Sequence, residues 1–267
     1  MIKKLILTGL VVALLAGCKK NNEEATPDPE GKGCLIRSET INDKPYRTYE
    51  YDADQKLFRI VQNEINATNR VEKRFSFDYD QNDRVTAFRE TSLLAPFHNY
   101  QYVLQYSPGG QLDTIRKSEV FNSGPRLIET YALEYDAQQR LTKYKWADNY
   151  WRYEYDDAKN VIKWFAKYPA VAPIEGLLAD FGNYDGKHNT YAFSTPAQLI
   201  NLVGGGGSSA QNPGSFKFYE ASLTPTQTGV LTYQYNEYDL PTEVSVSIFS
   251  VSGGTSTQVY KFAYECL

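Results

Sequence analysis

Tyr135-Asp136-Ala137-Gln138-Gln139-Arg140-Leu141 is one copy of a pattern that recurs along the chain, and Tyr79-Asp80-Gln81-Asn82-Asp83-Arg84-Val85 is another. Aligning on the tyrosine gives six anchors: Tyr51, Tyr79, Tyr106, Tyr135, Tyr155 and Tyr235. The next position holds Asp52, Asp80, Ser107, Asp136, Asp156 and Asn236. Six places on stand Leu57, Val85, Leu112, Leu141, Val161 and Pro241; nine places on stand Ile60, Phe88, Ile115, Tyr144, Trp164 and Val244. Two places before stand Tyr49, Phe77, Leu104, Leu133, Tyr153 and Tyr233. A period of this kind marks a repeated supersecondary unit.

One copy reads as a hairpin. An Asp or Asn side chain accepts a hydrogen bond from a backbone N–H two residues on, which favours a tight turn. The fourth position after the anchor then takes the left-handed conformation of a three-residue hairpin loop. Gly110 suits it best, Asp83 next, and Gln55, Gln139 and Lys159 less well. The anchor Tyr lies opposite the Leu or Val, and both share a face with the apolar residue two places earlier. The ninth position shares that face only if a bulge intervenes; otherwise it requires burial on both faces.

The rest of the 267-residue chain sets the frame. Charged residues are 22% and hydrophobic ones 42%, enough to build a core. With 22 Tyr, 13 Phe and a single Met, the balance favours strands. A net charge of −4 argues against a nucleic-acid partner. Outward positions carry Arg59, Glu134, Lys143, Lys145 and Lys163, whereas a membrane barrel needs a continuous apolar band. The expected fold is all-β: an antiparallel up-and-down meander, closed or strongly curved into a soluble barrel, with one short helix in an inserted segment.

The chain opens with Lys3 and Lys4, then an apolar run from Leu5 to Gly17, then Cys18. The run is too short to span a bilayer, which takes about 20 residues, and reads as a signal peptide over 1–17. Leu15-Ala16-Gly17-Cys18 resembles the bacterial lipoprotein box, which implies cleavage before Cys18 and acylation of its thiol. Acyl chains contribute about 0.8 kcal/mol per buried methylene and form a stable anchor when several act together. Residues 18–33 follow as lipidated Cys and disordered tether, and 34–267 as a single β domain. Lys19-Lys20-Asn21-Asn22-Glu23-Glu24 resembles the surface-export signals of Bacteroidetes lipoproteins, and reads equally as a soluble spacer.

The Tyr-Asp copies resemble the repeats of large Rhs-type shell proteins. Here the spacings are 28, 27, 29, 20 and 80, irregular and too few for a shell. With its lipoprotein start, the chain is similar to a family of Bacteroidetes lipoproteins with a porin-like antiparallel barrel and no established activity. That resemblance implies an outer-membrane location, attachment through the N-terminal lipid and a barrel fold, but no reaction.

The long gap before Tyr235 marks an insertion, read as irregular over 167–229. Thr195 as N-cap, Pro196 as first helical residue and Gly204 as terminator predict a short helix. Pro173-Ile174-Glu175-Gly176-Leu177-Leu178 reads as another helical turn, and the GGGGSS run 204–209 as flexible. The insertion is expected to plug the barrel or to serve as a binding loop at one mouth. Cys34 and Cys266, at the two ends of the domain, are expected to pair in an oxidising compartment.

No nucleophile elbow, zinc spacing or dinucleotide fingerprint is present. The reading is therefore not an enzyme, with no catalytic residue, metal or cofactor; an enzyme would need His98 or His188 beside a carboxylate in a cleft. Asp78, Asp80, Asn82 and Asp83 begin like a calcium loop, but Asp83 and Arg89 stand where Gly and Glu are needed. Asp113-Thr114-Ile115 resembles a short O-glycosylation motif of Bacteroidetes envelope proteins. The densest candidate for ligand binding is Trp146, Asp148, Tyr150 and Trp151, where ring faces and polar groups side by side suit a sugar. The functional expectation is a binding module for a glycan or another envelope ligand. The alternative is a structural lipoprotein that contacts other outer-membrane proteins.

Overall fold

Each copy of the repeat is a hairpin, and the hairpins stand side by side around a closed barrel. The computed structural model describes residues 33–64, 71–94, 97–170, 172–191, 194–204, 209–219 and 224–266; the signal, Cys18 and tether readings lie outside them. The chain runs β1 (Cys34–Ile41), β2 (Lys44–Tyr51), β3 (Leu57–Asn63), β4 (Val71–Tyr79), β5 (Val85–Ser92), β6 (Asn99–Tyr106), β7 (Leu112–Phe121) and β8 (Gly124–Tyr135). It continues through β9 (Leu141–Trp146), β10 (Asn149–Tyr155), β11 (Val161–Tyr168) and β12 (Ala172–Gly182) to α1 (Thr195–Val203). It ends with β13 (Ser215–Tyr219), β14 (Pro225–Tyr235), β15 (Pro241–Ser250) and β16 (Gly254–Cys266). Every strand pairs antiparallel with its sequence neighbours, and β1 pairs with β16 to close the sheet. The up-and-down meander expected from the repeats is a barrel of sixteen strands.

The repeat geometry rests on one bulge per hairpin. Tyr51 pairs with Leu57, Tyr79 with Val85, Tyr106 with Leu112, Tyr135 with Leu141 and Tyr155 with Val161, and in each case the register shifts beside the tyrosine. Past the shift, Tyr49 faces Ile60, Phe77 faces Phe88 and Leu104 faces Ile115. The bulge therefore brings the sixth and ninth positions onto the same inner face, which settles the alternative left open by the sequence. Gln55, Asp83, Gly110, Gln139, Lys159 and Asp239 all have positive φ, as the loop type requires. Asp80 Oδ1 accepts from the backbone N–H groups of Asn82 (2.8 Å) and Arg84 (3.0 Å). Asp136 does the same for Gln138 and Arg140.

The anchor tyrosines also join one hairpin to the next. The hydroxyl of Tyr79 donates to the carbonyl of Leu57 (2.6 Å), Tyr106 to Val85 (2.7 Å), Tyr135 to Leu112 (2.7 Å) and Tyr155 to Leu141 (2.7 Å). Tyr51 extends the series to Ile36 on β1. Arg84 lies over the Tyr106 ring and Arg140 over Tyr155, each 5.1 Å from the centroid, while pairing with the aspartate of its own turn. All these turns lie at one end of the barrel, because each follows an even-numbered strand of the meander.

The insertion corrects the sequence reading in extent and detail. β12, β13 and the start of β14 fall within 167–229, so among the described residues the long excursion from the sheet is the one between Gly182 and Ser215. The stretch 173–178 belongs to β12 and is not helical. The helix is capped by Ser194, whose hydroxyl accepts from Ala197 N–H, rather than by Thr195; Gly204 ends it as expected. Residues 205–208 of the glycine run lie outside the described residues. Tyr184-Asp185 acts as a further copy of the repeat: the Tyr184 hydroxyl bonds to the Val161 carbonyl, and Asp185 caps Lys187 N–H.

The helix enters at the repeat-turn end and lies inside the barrel. Pro196, Ala197, Leu199 and Ile200 are buried, the last three in one cluster with Tyr49, Phe75, Phe88, Ile115 and Tyr144 from the wall. Cys34 and Cys266, in register across the closing pair, form a disulfide that spans 232 residues. Loss of such a bond costs about 2–5 kcal/mol. Outside, the wall carries cross-strand ion pairs: Glu50–Arg59 at 2.9 Å, Glu134–Lys145 at 2.8 Å, and Arg152–Glu175 at 2.6 Å.

If the tyrosine links stabilise the barrel, Tyr79→Phe and Tyr106→Phe should each lower the free energy of urea unfolding by about 0.5–1.5 kcal/mol. Tyr150→Phe, on the outer wall, should change it by less than about 0.5 kcal/mol. Equal effects at all three positions would show that the links contribute nothing.

Candidate functional site

At the repeat-turn end the inner wall is apolar. Towards the other end it changes character, and polar side chains turn inward. Glu39 on β1, Arg47 on β2, Gln62 on β3, Lys73 on β4, Glu90 on β5 and Lys117 on β7 form a charged arc. These residues are placed inside by the same alternation that buries Tyr49, Ile60, Phe75, Phe88, Tyr102 and Ile115 one step along each strand.

Glu39 is 2% exposed and belongs to the plug's attachment. It accepts hydrogen bonds from the hydroxyls of Tyr49 and Tyr191 (2.9 Å for the latter), with the Arg47 guanidinium 3.9 Å away. Tyr191 lies in the segment leading to α1, so this carboxylate ties the plug to the wall. Burial first, and the Glu39 charge second, push the Tyr191 hydroxyl well above its ordinary pKa, which keeps it a donor.

Glu90 is the centre of a second cluster. Its oxygens receive Lys73 Nζ at 3.0 Å, the Tyr102 hydroxyl at 2.9 Å and His98 Nε2 at 3.3 Å. Burial alone would raise its carboxyl; the Lys73 ammonium and the three hydrogen bonds outweigh it and hold Glu90 below the ordinary 4.5. The His98 ring stacks on Tyr100 at 4.4 Å. Lys117 reaches over the same tyrosines, 4.1 Å from the Tyr100 centroid and 5.6 Å from Tyr102.

Beyond β7 the arc becomes aromatic. Tyr131 stacks on Tyr144 at 4.9 Å and approaches Trp146 at 6.4 Å. Trp151 stacks on Tyr144 at 5.4 Å and meets Trp146 edge-on at 4.7 Å and Trp164 at 5.8 Å. The Trp151 indole N–H donates to the Tyr168 hydroxyl at 2.7 Å. Among the described residues, the buried hydroxyls of Tyr144 and Tyr153 and the indole N–H of Trp164 have no hydrogen-bond partner.

The four residues read from sequence as one site therefore separate. Trp146 and Trp151 face the lumen. Tyr150 faces out, beneath Lys143 (4.8 Å from the centroid) and Lys167 (5.9 Å). Asp148 lies exposed in the two-residue turn between β9 and β10. The sequence held the signal for this split: Tyr153 is an inner position of the repeat, so Trp151 two places before it shares its face, and Tyr150 does not. The charged arc was missed altogether, because lone Lys and Glu residues in strands read as solvent-facing. His188, the other histidine singled out, makes a bridge with Gln211 at the repeat-turn end. No cluster of three or more metal-ligating groups occurs among the described residues.

A cavity of about 600 Å³ lies between the C-terminal part of α1 and the charged arc, lined by Arg47, Gln62, Lys73, Glu90, Tyr102 and Lys117 on the wall and by Asn201 and Val203 on the helix. A second, of about 890 Å³, separates the other side of the plug from β7–β10 and β14–β16.

No protein-family model matches the chain, and no curated protein does either. Among solved structures, the chain is similar to a porin-like protein from Bacteroides uniformis, with 13% identity and a TM-score of 0.54, over 87% of this chain and 97% of that one. A porin-like protein from Bacteroides vulgatus aligns at 12% identity and a TM-score of 0.42, over 87% and 99%. The first of these shows a shared barrel fold.

The Glu90 cluster predicts a pH dependence. A carboxyl depressed by folding stabilises the protein above its unfolded pKa and loses that contribution as pH falls through the folded value. Between pH 6 and about pH 3, the melting temperature of the native chain should therefore fall more steeply than that of Glu90→Gln. Parallel curves would show that the cluster does not favour the ionised form.

Proposed function

We propose that the chain is a lipid-anchored protein of the bacterial outer membrane whose barrel lumen binds a small ligand, with a glycan as the favoured class. The observation that carries the binding reading is a cavity of about 600 Å³ beyond the plug, lined by the charged arc with Tyr46, Phe75 and Tyr102, on a wall that turns aromatic past Lys117. Cavities of about 300–1,000 Å³ with aromatic walls and a few convergent polar groups are typical of small-molecule sites. Trp146 and Trp151 offer ring faces for sugar stacking, while Gln62, Arg47 and Lys117 offer donors for hydroxyls.

Three features support the envelope placement: the Leu15-Ala16-Gly17-Cys18 box, the disulfide and the barrel shared with a porin-like Bacteroides protein. The ion pairs on the outer wall favour a barrel held at the membrane by its N-terminus over one that spans it. A Lys or Arg facing lipid at the midplane costs about 2–4 kcal/mol. The plug inside the lumen argues against an open channel. Binding is preferred to catalysis: His98 does stand beside a carboxylate, but Ser92, the hydroxyl close to it in the chain, donates to the Leu94 carbonyl instead.

A second reading, assembly with another envelope protein, is favoured by one observation. Phe97, Phe121, Leu127, Ile174 and Val251 are exposed by 44–76% at the rim opposite the repeat turns.

Glycan-array retention of the native chain and of Trp146→Ala/Trp151→Ala separates the two readings. The lumen reading expects retention to vanish in the double variant and to persist in Tyr150→Ala, with both variants keeping the far-ultraviolet spectrum of the native chain. Unchanged retention in the double variant would remove the lumen site, and a partner captured through the rim would survive both. For the anchor, Cys18→Ser should abolish labelling by palmitate and move the protein from the membrane to the soluble fraction; continued labelling would overturn it.

A further inference from the structure

We propose that the lumen site takes a saccharide bearing an acidic group, a carboxylate or a sulfate, and seats that group on Lys117; this rests on the binding function proposed above. The basis is an imbalance of hydrogen-bonding capacity in the charged arc. Its carboxylates are occupied. Glu39 is taken by Tyr49 and Tyr191, and Glu90 by Lys73, Tyr102 and His98. Glu129, the cross-strand neighbour of Lys117, takes the Tyr131 hydroxyl at 3.1 Å.

The donors are not matched in the same way. A lysine ammonium carries three N–H donors. Among the described residues, Lys117 makes no hydrogen bond or ion pair; its contacts are the faces of Tyr100 and Tyr102. A ring face attracts a cation but accepts no strong hydrogen bond. Arg47 donates through Nε to Gln62 at 3.1 Å, and its nearest carboxylate oxygen is 3.9 Å away. Arg47, Lys73 and Lys117 all line the cavity, against Glu90 as the only carboxylate there among the described residues. This surplus is local, for the chain as a whole is acidic at −4.

The C-terminal end of α1 also borders this space and brings a partial negative charge. It helps to hold the cations at the cavity, yet no carbonyl of the described helix accepts from Lys117. A ligand that brings an anionic oxygen supplies the missing acceptor. Charge-assisted bonds of this kind are shorter and stronger than neutral ones. The aromatic arc begins on the next strand, where Tyr131 faces Ile115 one step below Lys117 and approaches Trp146. An acidic group on Lys117 thus leaves the attached ring directed towards stacking surfaces.

The test titrates the detergent-solubilised full chain, read by tryptophan fluorescence, with three tetrasaccharides: a neutral galactan, an oligogalacturonate and a sulfated galactan that carries no uronate. At least one acidic probe should bind about tenfold or more tightly than the neutral one, and the preference should weaken with salt. Lys117→Met should reduce that preference to within about twofold, and Lys117→Arg should retain it. The two acidic probes distinguish a uronate from a sulfate ligand. Equal affinity for neutral and acidic probes, or a preference that survives in Lys117→Met, would overturn the inference and leave the lumen site standing. Absence of binding by all three would remove the lumen reading and the inference together.

Discussion

A barrel of sixteen strands encloses more space than the side chains of its own wall can fill, and the rest of the structure answers that constraint. Eight strands close on a core of side chains alone, whereas sixteen in a membrane porin leave an aqueous channel. Here the apolar residues face inward, so an empty lumen would expose them to water. The segment between β12 and β13 turns into the barrel instead, and Ala197, Leu199 and Ile200 complete the core. The plug must be held as well as packed. Tyr191 bonded to Glu39 ties it to β1, and Ser209 and Gln211 bond to Val161 and Asn160 at the turn of the fifth hairpin.

The meander places all the bulged repeat turns at one end, and the two ends acquire different chemistry as a result. At the turn end, the hydroxyls of Tyr51, Tyr79, Tyr106, Tyr135 and Tyr155 each donate to a carbonyl of the preceding strand, and the disulfide seals the seam between β1 and β16. These contacts order backbone groups that a bulge would leave unpaired. At the other end no repeated motif operates. The strands differ in length, from five residues in β13 to thirteen in β16, and the inward positions at that end hold Lys73, Glu90, Lys117 and Trp151 instead of a uniform apolar set. A scaffold fixed at one end and varied at the other is the usual arrangement for binding sites on β structures.

The repeat made the fold legible because its physics is local. The side chain of Asp80 or Asp136 caps a turn within five residues, and the bulge follows from the same turn. The copy at Tyr184-Asp185 escaped because Thr190, not Leu or Val, stands six places on, and because the chain then leaves the sheet for the plug. The extent of the insertion was misread for a related reason. Strands β12 and β13 lack the tyrosine anchor of the regular copies, and Pro173-Ile174-Glu175-Gly176-Leu177-Leu178 reads as a helical turn. Gly229 on β14 could not be interpreted from sequence at all. In the structure a Cβ there would meet the Phe216 ring at 2.2 Å, so its role is to let that ring lie across the neighbouring strand.

The candidate site was legible only in half, and the reason bears on its function. Trp146 and Trp151 drew attention as an aromatic cluster, and alternation from Tyr153 would have turned Trp151 inward and Tyr150 outward. The charged arc has no such signature, because its members come from six strands and meet only when the barrel closes. Closure puts them in a setting where their cost must be met by partners: a buried carboxylate needs donors, and Glu39 and Glu90 have them. A merely structural network would close on itself with every member satisfied, since a half-satisfied network weakens a core. Around Lys117 it does not close. Among the described residues, the same inner wall that completes the core at the turn end leaves Lys117 with ring faces and no hydrogen-bond acceptor above the plug, and the proposed lumen site rests on this asymmetry more than on the fold.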